Sequence, residues 1–435
     1  MSSYRRWPRF APHDPGIAES VWSASAGALV DAPPFAGEAQ CDVVIVGGGF
    51  TGCSAALHLA EKGVSVILLE AEDIGFGASG RNSGMLNPGS FVLPDDLMRR
   101  LGPDYGPRYI EDLGKAPDLV REICERHGID AHDDGKGVIR AAHDTSAIGQ
   151  LQAYVEQWGR HGAKVEALDR SRLVEATGTE AYVSGLIDHR SSCVQPLAYA
   201  RGLARAAMAK GARLHSFSAA TELARTPKGH RVAVNGGHVD AETVIVATNA
   251  YSGDLIPSIK ASVIPVGAFG FATDPLDAET RRQILTSGNG LYDTRKALTF
   301  LRYDHEGRFI IGSIGYLPWQ SGEAGESWPN RAFQRLFPSV PVPRWRFRWS
   351  GSMAFTTDYM PRLSDPMPGV FALVGLNGRG IGPGTYFGRL LARRVLGEAV
   401  DLPVPVSEAG PVPFRNLRMD GFDLAFRMAR NGLLP

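Results

Sequence analysis

Hydrophobic residues form their first clear pattern between residues 42 and 70 of the chain. Four consecutive apolar residues begin at Val43, which is typical of a short strand buried on both faces of a parallel sheet. Residues 53–62 carry apolar side chains at helical spacing, and Gly63 ends this predicted helix. The mostly apolar residues 64–69 then predict a second strand. A strand, a helix and a strand in this order predict the start of an α/β domain.

Later stretches of the chain repeat both kinds of pattern. Helical spacing of apolar residues recurs at 93–135, 145–161 and 197–210. Short apolar runs typical of buried strands lie at 138–142, 243–247 and 370–374. Residues 214–225 and 230–234 are predicted to pair as antiparallel strands. Between residues 262 and 350 the aromatic residues become frequent and strand-like alternation appears, which predicts an antiparallel sheet.

These patterns predict an α/β fold whose substrate-binding part is α+β. A Rossmann-like nucleotide-binding domain would be joined to a substrate domain built on an antiparallel sheet. The predicted boundaries are 1–39 for an N-terminal arm, 40–92, 190–261 and 351–400 for the discontinuous nucleotide-binding domain, 93–189 and 262–350 for the substrate domain, and 401–435 for a C-terminal tail. We expect the arm to lie on the body with Trp7 and Trp22 as anchors, and the tail to form a short helix at 419–434 that packs on the body.

The glycine motif Gly47-x-Gly49-x-x-Gly52 directly follows the first predicted strand. In this context the first glycine allows a tight turn, the second lets the backbone approach a pyrophosphate, and the third lets the helix pack on the strand. The helix N-terminus offers unpaired N–H groups and a partial positive charge to the phosphates. Glu70 follows Gly52 by 18 residues, where an acid can accept hydrogen bonds from ribose hydroxyls. The stretch therefore predicts a dinucleotide site.

Two further glycine-rich segments indicate close approach of the backbone to a ligand. Residues 74–85 hold four glycines together with Ser, Arg and Asn, a composition that favours a loop and not the interior of a helix. This loop would form a second anion-facing nest beside the first motif. Residues 375–384 form another glycine loop between a strand and a helix predicted at 386–396, so we expect the chain to return to the nucleotide-binding domain there.

Composition and charge exclude several classes of protein. The formal net charge is zero, so nothing global indicates binding of nucleic acid or of an anionic membrane. The four cysteines form no CxxC pair, which argues against a disulfide scaffold or a zinc site and favours reduced thiols in a cytoplasm. No metal-binding pattern is present among the histidines, and no apolar run approaches the ~20 residues of a transmembrane helix. Arg greatly outnumbers Lys, and Arg suits bidentate binding of carboxylates.

With these pieces placed, the chain resembles the FAD-dependent D-amino-acid-oxidase superfamily, which includes glycine oxidase, sarcosine oxidase and γ-glutamylputrescine oxidase. The likeness spans residues 40–397 and is greatest to the γ-glutamylputrescine-oxidase-like branch, which also includes oxidases of cyclic imino acids such as pipecolate. The segments that carry it are the Gly47–Gly52 motif with Glu70, Phe76-Gly-Ala-Ser-Gly-Arg-Asn82, Ala247-Thr-Asn-Ala250, Phe300-Leu-Arg302 with 307–312, and Gly378-Arg-Gly-Ile381.

The resemblance implies an FAD-binding domain of the glutathione-reductase type. Glu70 would bind the adenosine ribose, Thr221 would face the adenine through its backbone, and residues 378–381 would approach the pyrimidine edge of the flavin. Sarcosine oxidases attach FAD to a cysteine in the region that matches 351–358, which holds no Cys here, so noncovalent FAD is expected. The full set of expected FAD contacts is Gly47, Gly49, Phe50, Thr51, Gly52, Glu70, Ala71, Gly77, Ala78, Ser79, Arg81, Asn82, Ser83, Gly84, Met85, Thr221, Ala247, Thr248, Asn249, Gly378, Arg379, Gly380 and Ile381.

The family's chemistry implies oxidation of an amino acid, a cyclic imino acid or an amine. A hydride would pass from the carbon beside a neutral amine to flavin N5, the imine would hydrolyse, and oxygen or another acceptor would take the electrons. The candidate catalytic residues are Arg379, Arg302 and Tyr251. Arg379 stands where relatives often carry His, and it could stabilise reduced flavin, bind a substrate carboxylate or be structural. Arg302 is a second candidate for the carboxylate, unless it pairs with Asp304 or another acid.

Three interpretations of the function are compatible with the sequence. Oxygen-using relatives place a lysine near flavin N5, and the matching strand 263–271 has none, so oxidase and dehydrogenase both stay open. A third possibility is a non-catalytic protein that uses a flavoprotein-like fold only to bind a partner. The complete glycine loops at 74–85 and 375–384 argue against that possibility. We expect the substrate pocket to be partly aromatic, with contributions from Tyr251, Phe269, Tyr303, Trp349 and Phe355.

Overall fold

The computed structural model describes residues 20–315, 323–408 and 410–430. Two large sheets form its framework. One is built around parallel strands and carries the glycine motifs, and the other is almost entirely antiparallel. This arrangement confirms the predicted α/β fold with a separate antiparallel sheet.

The first sheet places the strand predicted at Val43 near its centre. The parallel strands, numbered in chain order, are β1 (Gly37–Val46), β2 (Val66–Leu69), β8 (Arg213–His215), β11 (Gly237–Val246) and β18 (Val370–Val374). They are ordered β18, β11, β1, β2 and β8. The antiparallel strand β17 (Arg362–Met367) pairs with β18, and the hairpin of β9 (Ala220–Thr226) and β10 (Gly229–Val234) pairs with β11. Both faces of β1 are covered, which explains its continuous apolar run.

Five helices share one hydrophobic core with this sheet. They are α2 (Phe50–Ala60), α3 (Pro94–Gly114), α4 (Ala116–His127), α7 (Pro196–Ala209) and α11 (Ile381–Val395). Helices α2 and α11 touch closely because Gly388 of α11 faces α2: a Cβ there would lie 2.5 Å from the carbonyl oxygen of Thr51. Helix α3 is interrupted at Gly102, where φ is +69°.

The second sheet forms the floor of the predicted substrate domain. Its strands follow the order β16 (Trp345–Phe355), β12 (Ile264–Pro275), β15 (Arg308–Ile314), β14 (Thr299–Tyr303), β13 (Gly290–Asp293), β4 (Val138–Ala142), β6 (Ser184–Asp188) and β5 (Val165–Leu168). All neighbours are antiparallel except β4 and β13, which run parallel. One face packs against α10 (Glu323–Leu336). The other face, with Tyr292, Phe300 and Trp349, packs against Trp22 of the arm, Met85 and the start of α7.

The remaining helices and strands connect or flank these two sheets. They are α1 (Val21–Ser25), β3 (Met85–Leu86), α5 (Ile148–Arg160), α6 (Arg170–Thr177), β7 (Ser192–Cys193), α8 (Pro257–Ala261), α9 (Ala278–Arg281) and α12 (Arg415–Arg430). Helix α12 packs on β12 through Phe426 and Met419. Among the residues described, no helix is long and apolar enough to cross a membrane.

The structure differs from the sequence predictions at several boundaries. Helix α11 begins at Ile381 and not at residue 386, because a proline is tolerated in a first helical turn and Gly382 packs against Ala116 of α4. Leu214 belongs to β8 and not to the hairpin. The predicted domain boundary at 350/351 falls inside β16, and α4 packs on α11 of the nucleotide-binding layer. Residues 1–19, including Trp7, lie outside the described part of the chain.

The described part of the arm is held by Trp22. Its side chain is fully buried, and its ring meets that of Trp349 edge-on with centroids 5.9 Å apart. The indole nitrogen donates to the carbonyl oxygen of Asn82 at 2.9 Å. Trp22 therefore joins the arm to the second glycine loop and to the sheet of the substrate domain.

Candidate active site

The carboxyl ends of β1, β2 and β11 open into one cavity, which is where parallel α/β sheets bind their ligands. Gly47 has a φ of +110°, and a Cβ there would lie 2.8 Å from the carbonyl oxygen of Ala247. A Cβ on Gly52 would lie 1.9 Å from the carbonyl oxygen of Gly47, so this glycine allows α2 to pack on β1. The motif thus holds the N-terminus of α2 at the edge of the cavity, with room for a pyrophosphate.

Glu70 closes the adenosine end of this cavity. Its carboxylate accepts hydrogen bonds from the backbone nitrogens of Gly48 at 2.6 Å and of Glu72 at 3.0 Å. Burial raises the pKa of the Glu70 carboxyl, although both backbone donors act in the opposite direction. The acid is therefore fixed in position at the end of β2, where a ribose can reach it.

The second glycine loop lies against the first. The hydroxyl oxygen of Ser79 accepts a hydrogen bond from the backbone nitrogen of Phe50 at 3.0 Å. The side chain of Asn82 holds the loop itself, because its amide donates to the carbonyl oxygens of Ala78 and Ser79 and its oxygen accepts from Gly84. Arg81 stacks over the Phe76 ring at 4.1 Å. These contacts give the loop a single shape beside the helix N-terminus.

The third segment follows β11 and reaches the last glycine loop. Asn249 has a φ of +46°, and its side-chain oxygen accepts a hydrogen bond from the backbone nitrogen of Gly375 at 2.9 Å. The hydroxyl oxygens of Thr248 and Ser252 lie 2.6 Å apart. Tyr251 lies against Gly77, and its hydroxyl oxygen accepts a hydrogen bond from the backbone nitrogen of Ser352 at 3.0 Å. Tyr251 therefore lines this first cavity and joins it to β16.

Most of the expected FAD contacts line this first cavity. They are Gly47, Gly49, Phe50, Thr51, Glu70, Ala71, Gly77, Ala78, Ser79, Asn82, Ala247, Thr248, Asn249, Gly378 and Gly380. This lining fits a flavin dinucleotide for three reasons. Some of its glycines leave no room for a Cβ, Glu70 is a buried acid at one end, and the N-terminus of α2 lies at the edge of the cavity. Sequence reasoning missed Glu72, Phe76, Ala220 and Met353, which line the cavity too.

Several expected contacts lie outside the first cavity. Gly52 serves packing, and Gly84 makes room for the Arg302 guanidinium, since a Cβ there would lie 2.1 Å from Nη1. The side chain of Thr221 is exposed, while the adjacent Ala220 lines the cavity. Ile381 is buried at the start of α11. Arg81, Ser83, Met85 and Arg379 line a second cavity.

The second cavity lies between the glycine loops and the substrate sheet. Its volume is about 550 Å³, and it shares Ala78, Asn82, Met353 and Gly378 with the first cavity. Phe269, Phe300 and Phe355 form part of its apolar wall. Tyr303 and Trp349, which the sequence predicts for such a wall, do not line it. The Tyr303 hydroxyl donates to the carbonyl oxygen of Ile284, and the Trp349 indole nitrogen donates to that of Arg81. A ligand that lies against these four shared residues would therefore contact both the nucleotide site and the apolar second cavity.

Arg379 reaches into this second cavity from the last glycine loop. Its guanidinium donates through Nη2 to the hydroxyl of Tyr292 at 3.0 Å and stacks over the Phe91 ring at 4.2 Å. The Nε atom is buried without a hydrogen-bond partner, and no carboxylate in the described chain forms an ion pair with the side chain. A buried guanidinium with an unused donor is suited to bind an anion.

Arg302 is placed elsewhere, so it is not a carboxylate ligand in this structure. Its Nη1 donates to the carbonyl oxygens of Gly84 and Val194, both at 2.8 Å, and its Nε donates to that of Tyr303 at 2.9 Å. It does not pair with Asp304 either, because that carboxylate is bound by Arg308. Its donors are used to tie the second glycine loop to the sheet.

Arg140 and Tyr292 are the main site residues that sequence reasoning missed. They face each other on the parallel neighbours β4 and β13, and both line the second cavity. The sequence carried one signal for Arg140, a charged residue in the middle of an apolar strand. Around the whole cavity, six basic side chains (Arg81, Arg100, Arg140, Arg295, Lys296 and Arg379) stand against two acidic ones (Asp96 and Asp293). The wall is therefore electropositive and favours an anionic ligand.

Cysteine and metal chemistry play no visible part in either cavity. Cys41, Cys53, Cys124 and Cys193 are free thiols, and none of them lines the two cavities. Burial raises the pKa of the Cys41 thiol to about 11, which makes it a poor nucleophile. Within the described ranges, no group of His, Cys, Asp and Glu side chains could hold a metal ion.

Comparison with known proteins agrees with this geometry. The family described as FAD dependent oxidoreductase matches residues 42–394. The γ-glutamylputrescine oxidoreductase of Escherichia coli (strain K12) is 30% identical over 383 residues, covering 87% of this chain and 89% of that protein. The crystal structure of glycine oxidase from Geobacillus kaustophilus has a TM-score of 0.71 at 24% identity, covering 84% of this chain and 96% of that one. The resemblance inferred from the motifs is confirmed: the chain belongs to the FAD-dependent oxidoreductase family of D-amino-acid oxidase type, and its cofactor is FAD.

Proposed function

We propose that the protein oxidises an amino acid, a cyclic imino acid or an amine that carries a carboxylate, converting its amine to an imine. When bound, FAD supplies the acceptor for the hydride that leaves the carbon beside the amine. The single observation that carries the proposal is the position of Arg379. Its side chain lines a cavity that adjoins the nucleotide site through Gly378, and its buried Nε has no hydrogen-bond partner in the described chain.

The residues of the second cavity would act mainly by positioning. Arg379 would hold the substrate carboxylate by charge-assisted hydrogen bonds, with Tyr292 beside it to fix the guanidinium. The apolar wall of Phe269, Phe300 and Phe355 disfavours a charged ammonium and so favours the neutral amine that this oxidation needs. No general base is required of the protein once the amine is neutral. Tyr251 would contribute by holding the first cavity against β16 and not by contact with the substrate.

We further propose that oxygen is the final acceptor, which gives hydrogen peroxide. The support comes from a second relative, the glycine oxidase of Geobacillus kaustophilus (strain HTA426), which is 26% identical over 352 residues and covers 78% of this chain. The alternative is a dehydrogenase that passes its electrons to a quinone or a protein. Lys296, on the wall of the second cavity, is exposed, which supports the alternative because a lysine that acts on oxygen should lie inside the site.

The experiment uses protein purified with FAD. We expect a flavin absorption band at ~450 nm. Under anaerobic conditions this band should be bleached by one or more of proline, pipecolate, sarcosine, glycine, iminodiacetate and γ-glutamyl-putrescine. Peroxide release after admission of air, at a rate that matches turnover, would support the oxidase. Bleaching that only a quinone or dye reverses would favour the dehydrogenase. A protein that binds no FAD would exclude both enzymes and leave the non-catalytic alternative.

The free cysteines bear on how FAD is attached and on where the protein is located. We propose that FAD is held without a covalent bond, which is supported by the finding that none of the four cysteines lines either cavity. Release of intact FAD into the supernatant on acid precipitation would test this. We also propose a cytoplasmic location, which the four free thiols support. Cell fractionation with an antibody to the protein would test it.

A further inference from the structure

We propose that Arg140 binds a second acidic group of the substrate, so that the preferred substrate carries two carboxylates. This inference rests on the proposed function for the carboxylate held by Arg379. It gives a role to Arg140, which belongs to none of the glycine motifs and does not line the first cavity. It also narrows the substrate to a small amino or imino diacid.

Arg140 is built into the floor of the second cavity. It lies on β4, directly beside Tyr292 on β13, so the two side chains project from the same face of the sheet. Phe300 lies beside Tyr292 on β14 and continues this row. Arg140 is only 7% exposed, yet it lines the cavity. Its charge is therefore presented to a bound molecule and not to bulk solvent.

The guanidinium of Arg140 is not neutralised by the protein. Its Nε is buried without a partner, and no hydrogen bond or ion pair joins its side chain to another described residue. Four other arginines in or beside this sheet have acceptors: Arg190 pairs with Asp188, Arg295 with Asp293 and Arg308 with Asp304, and Arg302 donates to backbone carbonyl oxygens. Arg140 has neither a carboxylate nor a carbonyl oxygen as a partner in the described chain. Because an uncompensated buried charge is unfavourable, this difference indicates a ligand that supplies the missing anion.

Aromatic contacts do not replace that anion. The Arg140 guanidinium carbon lies 5.9 Å from the ring centroids of both Tyr154 and Tyr292, near the limit for a cation–π interaction. The hydroxyl of Tyr154 is already engaged with the carboxylate of Asp188. Asp293, the buried acid of the cavity, is held by Arg295 and by the backbone nitrogen of Thr299. The cavity wall thus offers no carboxylate that could turn to Arg140 without breaking another pair.

The guanidinium groups of Arg140 and Arg379, neither of which has a carboxylate partner among the described residues, lie close enough together for one small molecule to reach both. The guanidinium carbon of Arg379 lies 5.5 Å from the Tyr292 ring centroid, and that of Arg140 lies 5.9 Å from it. The sum of these distances is the upper limit of their separation, a span that a chain of a few atoms with a carboxylate at each end can bridge. The Tyr292 hydroxyl accepts from Arg379, so its own O–H remains available to donate to a carboxylate. An amine between the two acids would lie over this row.

Binding of non-oxidisable acids tests the inference apart from turnover. The probes are diglycolate, which has two carboxylates and no amine, and methoxyacetate, its counterpart with one carboxylate. Calorimetric titration of the FAD-loaded protein should show diglycolate binding about tenfold to a hundredfold tighter, as expected for hydrogen bonds to a charged group. Arg140→Gln should abolish the preference while leaving methoxyacetate affinity unchanged. Arg231→Gln, which breaks an exposed pair with Asp240, should keep the preference.

The possible results distinguish the acid site at Arg140 from the proposed oxidation of an amine. Equal affinity of the wild type for the two acids, or a preference that persists in Arg140→Gln, would overturn the inference. If the diglycolate preference depends on Arg140 but no amine on the panel bleaches the flavin, the acid site stands and the proposed oxidation fails. If Arg140→Gln does not fold, Arg140→Lys keeps the charge without the bidentate geometry. It should then retain only part of the preference, and full retention would count against a direct contact.

Discussion

The hydroxyl oxygen of Ser79 lies 3.0 Å from the backbone nitrogen of Phe50 and accepts its hydrogen bond. This contact caps the first turn of α2 from a separate loop, because the N-cap residue Gly49 has no side chain to do so. A Cβ on Gly49 would lie 2.8 Å from the same oxygen. The two glycine segments are thereby held together at the point where the cofactor phosphates should bind.

Ser79→Ala should weaken both the protein and its cofactor site. Loss of a capping hydrogen bond costs about 1 kcal/mol, so the apoprotein should melt at a lower temperature and FAD should bind roughly fivefold more weakly. Calorimetry of the apoprotein and FAD titration by fluorescence would measure the two effects. Thr221→Ala is the matched control, since that side chain is exposed and outside the cavity. An equal loss of FAD affinity in both variants would contradict this role of Ser79.

Glu70→Gln should reduce FAD affinity by about tenfold or more, the range for losing a hydrogen bond to a charged group. A glutamine has one side-chain oxygen, whereas the carboxylate serves the backbone nitrogens of Gly48 and Glu72 with separate oxygens. The ribose would also lose a charged acceptor. Equilibrium dialysis of FAD against both proteins would give the ratio, and an unchanged dissociation constant would remove Glu70 from the ribose site.

The raised pKa of Glu70 gives the same carboxylate a distinctive pH dependence. Because burial raises the pKa of the folded state, protonation stabilises the apoprotein relative to the unfolded chain as the pH falls through that value. The same protonation removes the charge that binds ribose. FAD affinity should therefore begin to fall at a pH above the ordinary carboxyl pKa of about 4.3. Titrations from about pH 8 down to about pH 4 should show this slope in the wild type and a smaller one in Glu70→Gln.

Gly388→Ala should separate α11 from α2. The added Cβ would lie 2.5 Å from the carbonyl oxygen of Thr51 and 2.6 Å from the Cβ of Ser54, and overpacking of this kind costs about 1–3 kcal/mol. Because Thr51 lines the cofactor cavity, FAD affinity should fall together with thermal stability. Gly159→Ala is the control: nothing lies within 4 Å of its added Cβ, and alanine is the better helix former. Stability equal to the wild type in Gly388→Ala would contradict the close contact.

Local patterns predicted several of the segments that surround the first cavity, because these segments are short and continuous in sequence. The strand from Val43, the glycine motif and Glu70 each follow from hydrophobic period or backbone freedom, and the structure places them around one cavity. The strands around Phe300 and Arg308 were predictable from alternation for the same reason. The start of α11 was not, since the packing of Gly382 on Ala116 is a long-range contact that no local pattern reports.

The substrate side depended on pairings between distant segments. Arg140 faces Tyr292 only because β4 and β13 join in parallel, an exception in a sheet that is otherwise antiparallel, and nothing local selects this register. Both Arg302 and Arg379 appeared in the sequence as plausible ligands for a carboxylate. The carbonyl oxygens that bind Arg302 come from two other segments, at Gly84 and Val194. Only the positions of these carbonyl oxygens in space distinguish Arg302, which they bind, from Arg379, which has an unused donor.

Arg302→Met should therefore destabilise the protein without removing a substrate contact. The change leaves the buried carbonyl oxygen of Val194 without its donor, at a cost of about 1–3 kcal/mol. It also removes one of the two donors to the carbonyl oxygen of Gly84, which keeps the backbone nitrogen of Val194. The melting temperature should drop clearly, whereas KM for a carboxylate substrate, measured below the transition, should stay within about twofold of the wild type. Arg379→Met should show the opposite pattern, with a KM raised at least tenfold, as expected for a charged hydrogen bond, and a small change in stability. If Arg302→Met raised KM as strongly while melting like the wild type, Arg302 would be a substrate ligand after all.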